Sequence, residues 1–251
     1  MSSPRRLIVG NWKMNGVPAD LAEIDRFLDR MGAGPWPVSV GFCPPFPLIS
    51  ACAARLRGTD VLTGGQDCHD KDSGAHTGCV SATLLAAIGA KIVIVGHSER
   101  RTDQGETDAL VRAKALAASR AGLTPIICVG ETLAQREAGE AEAVVRGQIR
   151  ASTPNEGAGE LVIAYEPVWA IGTGLTPSLG QIEEMHKAAR AALVEAIGPA
   201  AAGTSILYGG SVKGDNAKEI LAIAGVDGAL VGGASLKGDS FAAIVQAQSR
   251  G

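Results

Sequence analysis

The chain has 251 residues, of which 46% are hydrophobic and 20% are charged, so it has enough apolar surface for one sizeable core and is not intrinsically disordered. Lysine and arginine total 23 against 26 for aspartate and glutamate, which gives a formal net charge of −3. This balance leaves no broad basic surface for nucleic acid or for an anionic membrane, so an anionic ligand needs a local site.

The cysteines indicate a reducing compartment. Five are present, their spacing is irregular, and none forms a C-x-x-C pair, which argues against a disulfide framework. The apolar stretch that follows Arg6 is too short for a signal-peptide core or a membrane span. We therefore expect a cytoplasmic protein.

Eight short β-rich runs recur along the chain and are separated by stretches with helical periodicity. In chain order the runs are residues 7–9, 38–40, 61–62, 92–95, 125–129, 161–164, 205–208 and 228–231. Two clear helical patterns each place five apolar residues on one face: Leu21, Ile24, Phe27, Leu28 and Met31, and Ile182, Met185, Ala189, Leu193 and Ile197. Runs that are apolar on both faces indicate a buried parallel sheet covered by helices.

Strict alternation of strand and helix makes every connection a right-handed crossover. Eight such units predict an α/β fold in which the strands close into a (β/α)8 barrel. No linker-like composition divides the chain, so we interpret residues 1–251 as a single domain. An open, doubly wound sheet is the alternative, because periodicity alone does not establish closure.

Titratable side chains gather where three of the predicted strands end. Lys13 follows the first strand, His97 the fourth and Glu166 the sixth, and the carboxyl ends of parallel barrel strands face the ligand site. Glu166 follows an apolar run, which makes it a candidate general base whose pKa is tuned by apolar neighbours. His97 precedes a predicted helical turn, whose dipole favours a neutral ring. Singly, such residues are more often structural or solvated; the three together favour a catalytic site.

Glycine pairs follow the seventh and eighth strands, at Gly209-Gly210-Ser211 and Gly232-Gly233. Their backbone N–H groups, with helices predicted to start near Lys213 and Ser235, suit a bound phosphate. One pair alone is more typical of a tight turn, but two pairs together with Gly172-Thr173-Gly174 favour a phosphate site. The sequence contains neither a P-loop nor a dinucleotide fingerprint.

Blocks of sequence in the same order resemble the triosephosphate isomerase family. They are residues 10–15, 96–101, 164–174, 208–212 and 230–235, so the resemblance covers nearly the whole chain. It implies a TIM barrel that interconverts dihydroxyacetone phosphate and D-glyceraldehyde 3-phosphate through an enediolate, in glycolysis and gluconeogenesis. It implies no metal and no organic cofactor.

The resemblance also implies roles for individual residues. Glu166 would be the base that shuttles the proton, and His97 the neutral electrophile that polarises the carbonyl oxygen. Lys13 would supply positive charge near the phosphate, and Asn11 a nearby donor. Preorganised donors of this kind make removal of a proton next to a carbonyl feasible. The further substrate-binding residues would be Gly172, Ser211, Gly232 and Gly233.

Two loops resemble functional segments of the family. Residues 167–174 resemble a mobile lid that excludes water and protects the enediolate, with Ile171 and Leu230 pressing on the base. The loop from Gln66 to Cys79 resembles the segment that each subunit inserts into its neighbour, with Thr77 approaching the partner's active site. A homodimer is therefore implied. In an alternative interpretation Cys68, His69, His76 and Cys79 are metal ligands, but their spacing fits no zinc pattern.

Two positions depart from the family pattern. Cys79 stands where an acidic residue is usual, so an interface ion pair with Arg100 or Arg101 is expected to be missing, which leaves the dimer strength open. Pro177 stands where relatives offer a backbone N–H to the tyrosine that corresponds to Tyr208.

The missing N–H at Pro177 has two expected consequences for the lid. The hydrogen bond that holds the lid closed would have to form between Ser211 and the Gly174 backbone. Pro177 is expected to stiffen the hinge instead.

Two other functions share some of these features. An isomerase of a four-carbon ketose phosphate, such as erythrulose phosphate, would use the same base and phosphate grip and differ only in pocket length. A non-catalytic phosphosugar-binding barrel would keep the glycines but has no need for Glu166, His97 and Lys13 together.

Overall fold

The computed structural model describes residues 4–32, 34–156, 159–173 and 175–248. The strands are β1 (Leu7–Asn11), β2 (Ser39–Cys43), β3 (Leu62–Gly65), β4 (Ile92–Val95), β5 (Thr124–Val129), β6 (Val162–Tyr165), β7 (Ser205–Tyr208) and β8 (Gly228–Val231). The α-helices are α1 (Ala22–Met31), α2 (Ile49–Arg55), α3 (Ala82–Ala87), α4 (Ser98–Asp103), α5 (Asp108–Arg120), α6 (Leu133–Glu137), α7 (Ala141–Ser152), α8 (Leu179–Ile197), α9 (Ala217–Leu221) and α10 (Gly238–Gln248). Short 3-10 helices span Pro18–Leu21, Phe46–Leu48, Val168–Ala170, Gly198–Gly203 and Gly233–Leu236.

The eight strands form a closed parallel barrel. Each strand pairs with the next in chain order, and β1 also pairs with β8, with Leu7 opposite Gly228. The predicted (β/α)8 barrel is therefore confirmed, and the open-sheet alternative is wrong. Within the described ranges, no helix is both long and apolar enough to cross a membrane.

The core has two layers separated by the barrel wall. Alternate strand residues point to opposite faces, so Leu7 and Val9 fill the interior while Ile8 packs outward. The interior contains Leu7, Val9, Cys43, Ile92, Ile94, Ile126, Cys128, Val162, Ala164, Leu207 and Leu230. The outer layer is larger and lies between strands and helices, where Phe27 and Phe42 are in edge contact, with ring centroids 5.3 Å apart.

Three strands continue through glycine beyond their predicted limits, and the first is β1, which was predicted as 7–9 and runs through Gly10 to Asn11. The predicted strand 38–40 runs in the structure to Cys43, and the predicted strand 61–62 runs to Gly65. A β-carbon at Gly41 would lie 2.8 Å from Cδ1 of Ile92, and one at Gly64 would lie 2.6 Å from Cγ1 of the same side chain. Glycine is a poor strand former, but it is required at these positions because the barrel interior has no room for a β-carbon there.

The two helices predicted near the glycine pairs differ from expectation. The helix predicted near Lys213 begins only at Ala217, where α9 starts. At Ser235 the chain forms a 3-10 helix, Gly233–Leu236, and α10 follows from Gly238. The full positive dipole of a helix at Lys213 is therefore absent, and the turn after β7 offers local backbone N–H groups instead.

Candidate active site

A cavity of about 720 Å³ opens at the carboxyl ends of the strands. Every residue that the sequence predicts for the site lines this cavity: Asn11, Lys13, His97, Glu166, Gly172, Ser211, Gly232 and Gly233. Ile171 and Leu230 line it as well. The structure thus brings together residues that follow β1, β4, β6, β7 and β8.

Lys13 follows β1 in an unusual backbone conformation. Its φ is 54°, and its N–H donates to Oδ1 of Asn11 at 3.0 Å. Its ammonium group lies 2.7 Å from Oε1 of Glu99. A β-carbon at Gly232 would lie 3.5 Å from Cε of Lys13, so the side chain runs beside the glycine pair that follows β8.

His97 is held by the first turn of α4. Gly96, with a φ of 65°, turns the chain from β4 into His97, which is the N-cap residue of the helix. Its Nδ1 accepts a hydrogen bond from the Glu99 N–H at 3.2 Å. An acceptor at Nδ1 places the hydrogen of a neutral ring on Nε2, which is 2.8 Å from Oε1 of Glu166.

Glu166 is a buried carboxylate, and only 1% of its surface is exposed. Its backbone N–H continues the ladder by donating to the Val129 carbonyl at 2.7 Å. Its Oε2 accepts from the Ser98 N–H at 2.9 Å, while Oε1 faces His97. Gly209 makes room for this side chain, because a β-carbon there would lie 2.9 Å from Cγ of Glu166.

His97 and Glu166 shift each other's pKa. Burial favours a higher pKa for Glu166, but the His97 ring, the Ser98 N–H and the Lys13 charge outweigh it, so this pKa lies below its ordinary value. Burial favours a lower pKa for His97, but the charge and hydrogen bond of Glu166, with Glu99, bring it above its ordinary value. Burial is thus the largest single influence on the pKa of Glu166, in keeping with the apolar neighbours expected from sequence, but the charge and hydrogen-bond partners together reverse the direction of the shift.

The predicted lid begins with a hydrogen-bonded anchor. Trp169, in the 3-10 helix Val168–Ala170, donates its indole N–H to Oε1 of Glu131 at 2.8 Å. The Thr173 hydroxyl donates to the Trp169 carbonyl at 2.8 Å. Gly172 between them has a φ of 71°, a conformation that favours glycine.

At the far end of the predicted lid, Pro177 was expected to leave Tyr208 without its usual backbone partner. The Tyr208 hydroxyl is buried and has no hydrogen-bond partner among the described residues. This fits a chain in which residue 177 offers no backbone N–H. The expected alternative, a bond from Ser211 to the Gly174 backbone, falls on a residue outside the described part of the chain.

The loop of residues 66–79 gives no support to the metal interpretation. Cys68 is buried, with its thiol 3.6 Å from the Lys114 carbonyl, whereas Cys79 is exposed. His69 and His76 stack on each other with ring centroids 4.1 Å apart. Over the described residues no group of three or more His, Cys, Asp and Glu side chains is arranged to hold a metal ion.

The two arginines that follow His97 both have partners within the chain. Arg100 binds Asp67 at 2.9 Å and Glu106 at 2.6 Å. Arg101 binds Asp108 at 2.5 Å. Because Cys79 replaces the usual acidic residue, Arg100 and Arg101 have no expected ion-pair partner in a second subunit. Both arginines are instead paired with carboxylates of their own chain.

Sequence reasoning assigned no role to three residues that shape the site. Glu99 lies between Lys13 and His97: its Oε1 pairs with the Lys13 ammonium group, and its Oε2 lies 3.5 Å from Nδ1 of His97. Ser98 contributes its backbone N–H to Glu166, and Glu131 anchors the lid. Glu99 belongs to the block 96–101, so its place in the sequence could have indicated a role in the site. The backbone N–H of Ser98 and the lid contact of Glu131 have no recognisable sequence pattern.

Comparison with known proteins gives a consistent result. The family model described as triosephosphate isomerase matches residues 6–248. The triosephosphate isomerase of Xanthobacter flavus is 56% identical over 250 residues, covering 98% of this chain and 99% of that protein. The enzyme of the same name from Caulobacter vibrioides is 54% identical over 247 residues, covering 98% of each. The crystal structure of triosephosphate isomerase from Bartonella henselae superposes with a TM-score of 0.89 at 42% identity, covering 97% of this chain and 98% of that one. The chain therefore belongs to the triosephosphate isomerase family.

Proposed function

We propose that this chain is the isomerase that interconverts dihydroxyacetone phosphate and D-glyceraldehyde 3-phosphate. Family membership supports this activity, which serves glycolysis and gluconeogenesis. The observation that carries the assignment of roles is the meeting of Glu166, His97 and Lys13 in one cavity that also has a wall of glycine backbone. A binding protein would need the glycine wall alone.

In the proposed mechanism Glu166 moves the proton. Its carboxylate takes the proton from the carbon next to the carbonyl and returns it to the neighbouring carbon after the enediolate has formed. The lowered pKa of Glu166 means that the carboxylate is ionised at neutral pH and ready to act as a base. The hydrogen bonds from His97 and Ser98 weaken that base, so Glu166 has to leave them to reach substrate. Within the closed site, burial then makes the carboxylate more basic.

His97 stabilises the oxygen on which negative charge develops. When Glu166 moves to substrate, the Nε2–H is free to donate to the carbonyl oxygen. The two largest influences that raise the pKa of His97, the charge and the hydrogen bond of Glu166, move away with the carboxylate. Burial and the Glu99 N–H on Nδ1 then keep the ring neutral. Proton transfer between two carbons of a triose needs no metal and no organic cofactor in this scheme.

The phosphate lies against the glycine turns. Ser211, Gly232 and Gly233 supply the cradle after β7 and β8, and Gly172 joins it when the lid closes. A β-carbon at Gly233 would meet no atom within 4 Å, so its backbone faces open space in the cavity. Lys13, which runs beside Gly232, adds a positive charge between the phosphate and the reacting carbons.

A coupled assay tests this assignment. We expect kcat/KM on D-glyceraldehyde 3-phosphate to exceed that on four-carbon ketose phosphates such as erythrulose phosphate by at least about a hundredfold, because the predicted lid would have to close over an additional carbon. The opposite preference would assign the chain to the four-carbon reaction. Binding of both compounds without turnover would identify a phosphosugar-binding barrel.

We further propose that the chain acts as a homodimer in the cytoplasm. Met14, beside Lys13, is 97% exposed in the single chain, and next to it is a cavity of about 210 Å³ lined by Gln66 and Arg100. A second copy that inserts its own loop of residues 66–79 would cover both features. The cytoplasmic assignment follows from the five cysteines, which are all free thiols.

A further inference from the structure

One side-chain amide joins the ends of three neighbouring strands at the rim of the cavity. Gln66 is the first residue after β3, and its Nε2 donates to the carbonyl oxygens of Lys13 and Cys43, each at 2.8 Å. Cys43 is the last residue of β2, and Lys13 follows β1. The mechanism above assigns no part to Gln66.

The backbone that Gln66 holds is the strained one. Among the described residues, Lys13 is the one non-glycine residue with a positive φ. A β-carbon disfavours this left-handed conformation, so the surrounding structure has to hold it in place. Side chains hold both polar backbone atoms of Lys13, with Asn11 accepting from the N–H and Gln66 donating to the carbonyl.

The conformation of this backbone decides where the ammonium group of Lys13 lies. From it the side chain runs past Gly232 and reaches Glu99, which is the position between the phosphate cradle and His97. A relaxed, right-handed backbone would start the side chain in a different direction. We infer that Gln66 is a positioning residue for Lys13, whose amide sets the ammonium group in the active site. The inference rests on the proposed function, because Lys13 matters only as part of that site.

A double-mutant cycle tests this inference with D-glyceraldehyde 3-phosphate as substrate. Gln66→Met keeps the length of the side chain but removes both donated hydrogen bonds. We expect it to lower kcat/KM about tenfold, with the larger share in KM, because Lys13 acts on bound phosphate. In a Lys13→Met background the same substitution should change kcat/KM by less than about twofold, because the group that Gln66 positions is already gone.

Gln148→Met is the matched control. Gln148 donates its amide to the carbonyl of another loop residue, Gly130, at 3.1 Å, and accepts from the N–H of the same residue, away from Lys13 and Asn11. Whatever its effect on kcat/KM, that effect should be the same in the wild-type and Lys13→Met backgrounds. Gln66→Asn, which keeps the amide but shortens the stem, enters the same cycle if Gln66→Met does not fold, and the same non-additivity is expected of it.

Two results would overturn the inference. One is a loss from the Gln66 substitution that is equally large in both backgrounds, since Gln66 would then act on the structure without acting through Lys13. The other is no loss in the wild-type background. Full activity of Lys13→Met itself would be a different failure, because it would remove Lys13 from the proposed mechanism.

Discussion

The state of the histidine at the centre of the site depends on one backbone N–H. Because Glu99 donates its amide to Nδ1 of His97, the neutral ring must carry its hydrogen on Nε2, toward the cavity. The N-cap position makes this contact possible, since the amides of a first helical turn have no partner within the helix. Local helix geometry thus fixes the tautomer of the neutral ring, whereas Glu166 raises its pKa.

The base offers the most direct test at the scale of a residue. We expect Glu166→Asp to fold normally but to lower kcat by at least about tenfold, because the carboxylate is drawn back by one methylene from the substrate. Steady-state kinetics and a urea unfolding curve measure the two effects. The exposed Glu183 in α8 provides the control, and Glu183→Asp should change neither quantity. An unchanged kcat in Glu166→Asp would remove Glu166 from the mechanism.

Residue types in the site could be predicted, but their contacts could not. Lys13, His97 and Glu166 stand out because charged groups are unusual directly after apolar strands, and a parallel barrel brings strand ends to one face. The ion pair of Glu99 with Lys13 and the hydrogen bonds of the Gln66 amide depend on side-chain directions that are set by the closed ring and by the φ of Lys13. The direction of the pKa shift of Glu166 could not be predicted for the same reason, since its hydrogen-bond partners are not visible in sequence.

Among the elements, the lid differs most clearly from a simple loop. One end is anchored by the Trp169 indole on Glu131, which is fully buried. The other end leads into Pro177, which is also buried, and then into α8. We therefore expect the predicted lid, which is anchored at one end and conformationally restricted at the other, to move between few arrangements.

Replacing Pro177 tests this view of the hinge. We expect Pro177→Ala to speed exchange of the lid between conformations several-fold, because alanine admits more backbone conformations than proline. Fluorine NMR of 5-fluorotryptophan protein reports this exchange at Trp169. Pro199→Ala, in the 3-10 helix Gly198–Gly203, is the control and should leave the Trp169 signal unchanged. Lid exchange that is the same in Pro177→Ala and the wild type would contradict the proposed stiffening.

Helix α8 contains a histidine that is buried and neutral. His186 lies beside Tyr165 and Tyr208, its Nδ1 is 3.0 Å from the Gly225 carbonyl, and its Nε2 has no partner among the described residues. Burial lowers the pKa of His186 to about 4. Between this value and the ordinary value of about 6.5, the unfolded chain binds a proton that the folded chain does not.

The free energy of unfolding should therefore fall as the pH drops through this window. The contribution of His186 to that fall amounts to about 2 kcal/mol between pH about 7.5 and about 5. We expect His186→Phe to be less stable at the higher pH, since the Gly225 carbonyl loses its partner, but to lose less stability on acidification. Urea unfolding of both proteins at the two pH values measures the difference. Equal losses in the two proteins would contradict a neutral buried His186.

Strand limits were predicted well where apolar residues run to the carboxyl end of the strand and poorly where a glycine stands near that end. The limits of β4, β7 and β8 agree with the sequence-based prediction, whereas β2 and β3 were too short. Their glycines make room for Ile92 across the barrel interior, a requirement that only the assembled ring imposes. The start of the helix predicted near Lys213 was also wrong. The Lys213 N–H donates to the side chain of Asn216 in a turn that precedes α9.

At the scale of the whole molecule, the interpretation of residues 1–251 as one domain stays a prediction, and so does the homodimer. The pairing of Arg100 and Arg101 within the chain bears on dimer strength. An interface that lacks an ion pair at Cys79 has to depend on the fit of the loop and on apolar surface such as Met14.

The interface prediction can be tested through mass alone. We expect sedimentation velocity to give the wild type a mass about twice the 25.5 kDa of one chain. Met14→Arg should shift it to a single chain, because a buried charge without a partner strongly opposes association. Val194→Arg introduces the same charge at another exposed apolar residue, on α8, and should remain a dimer. A monomeric wild type, or a dimeric Met14→Arg, would refute the predicted interface.

The pairing of β1 with β8 has a topological consequence. Since the first strand hydrogen-bonds to the last, the ring of units has no beginning or end in space. The outer helices α1 and α10 also pack against each other, across the same seam. A circularly permuted polypeptide, joined across this seam and reopened between two other units, should rebuild the same cylinder with its reactive mouth intact.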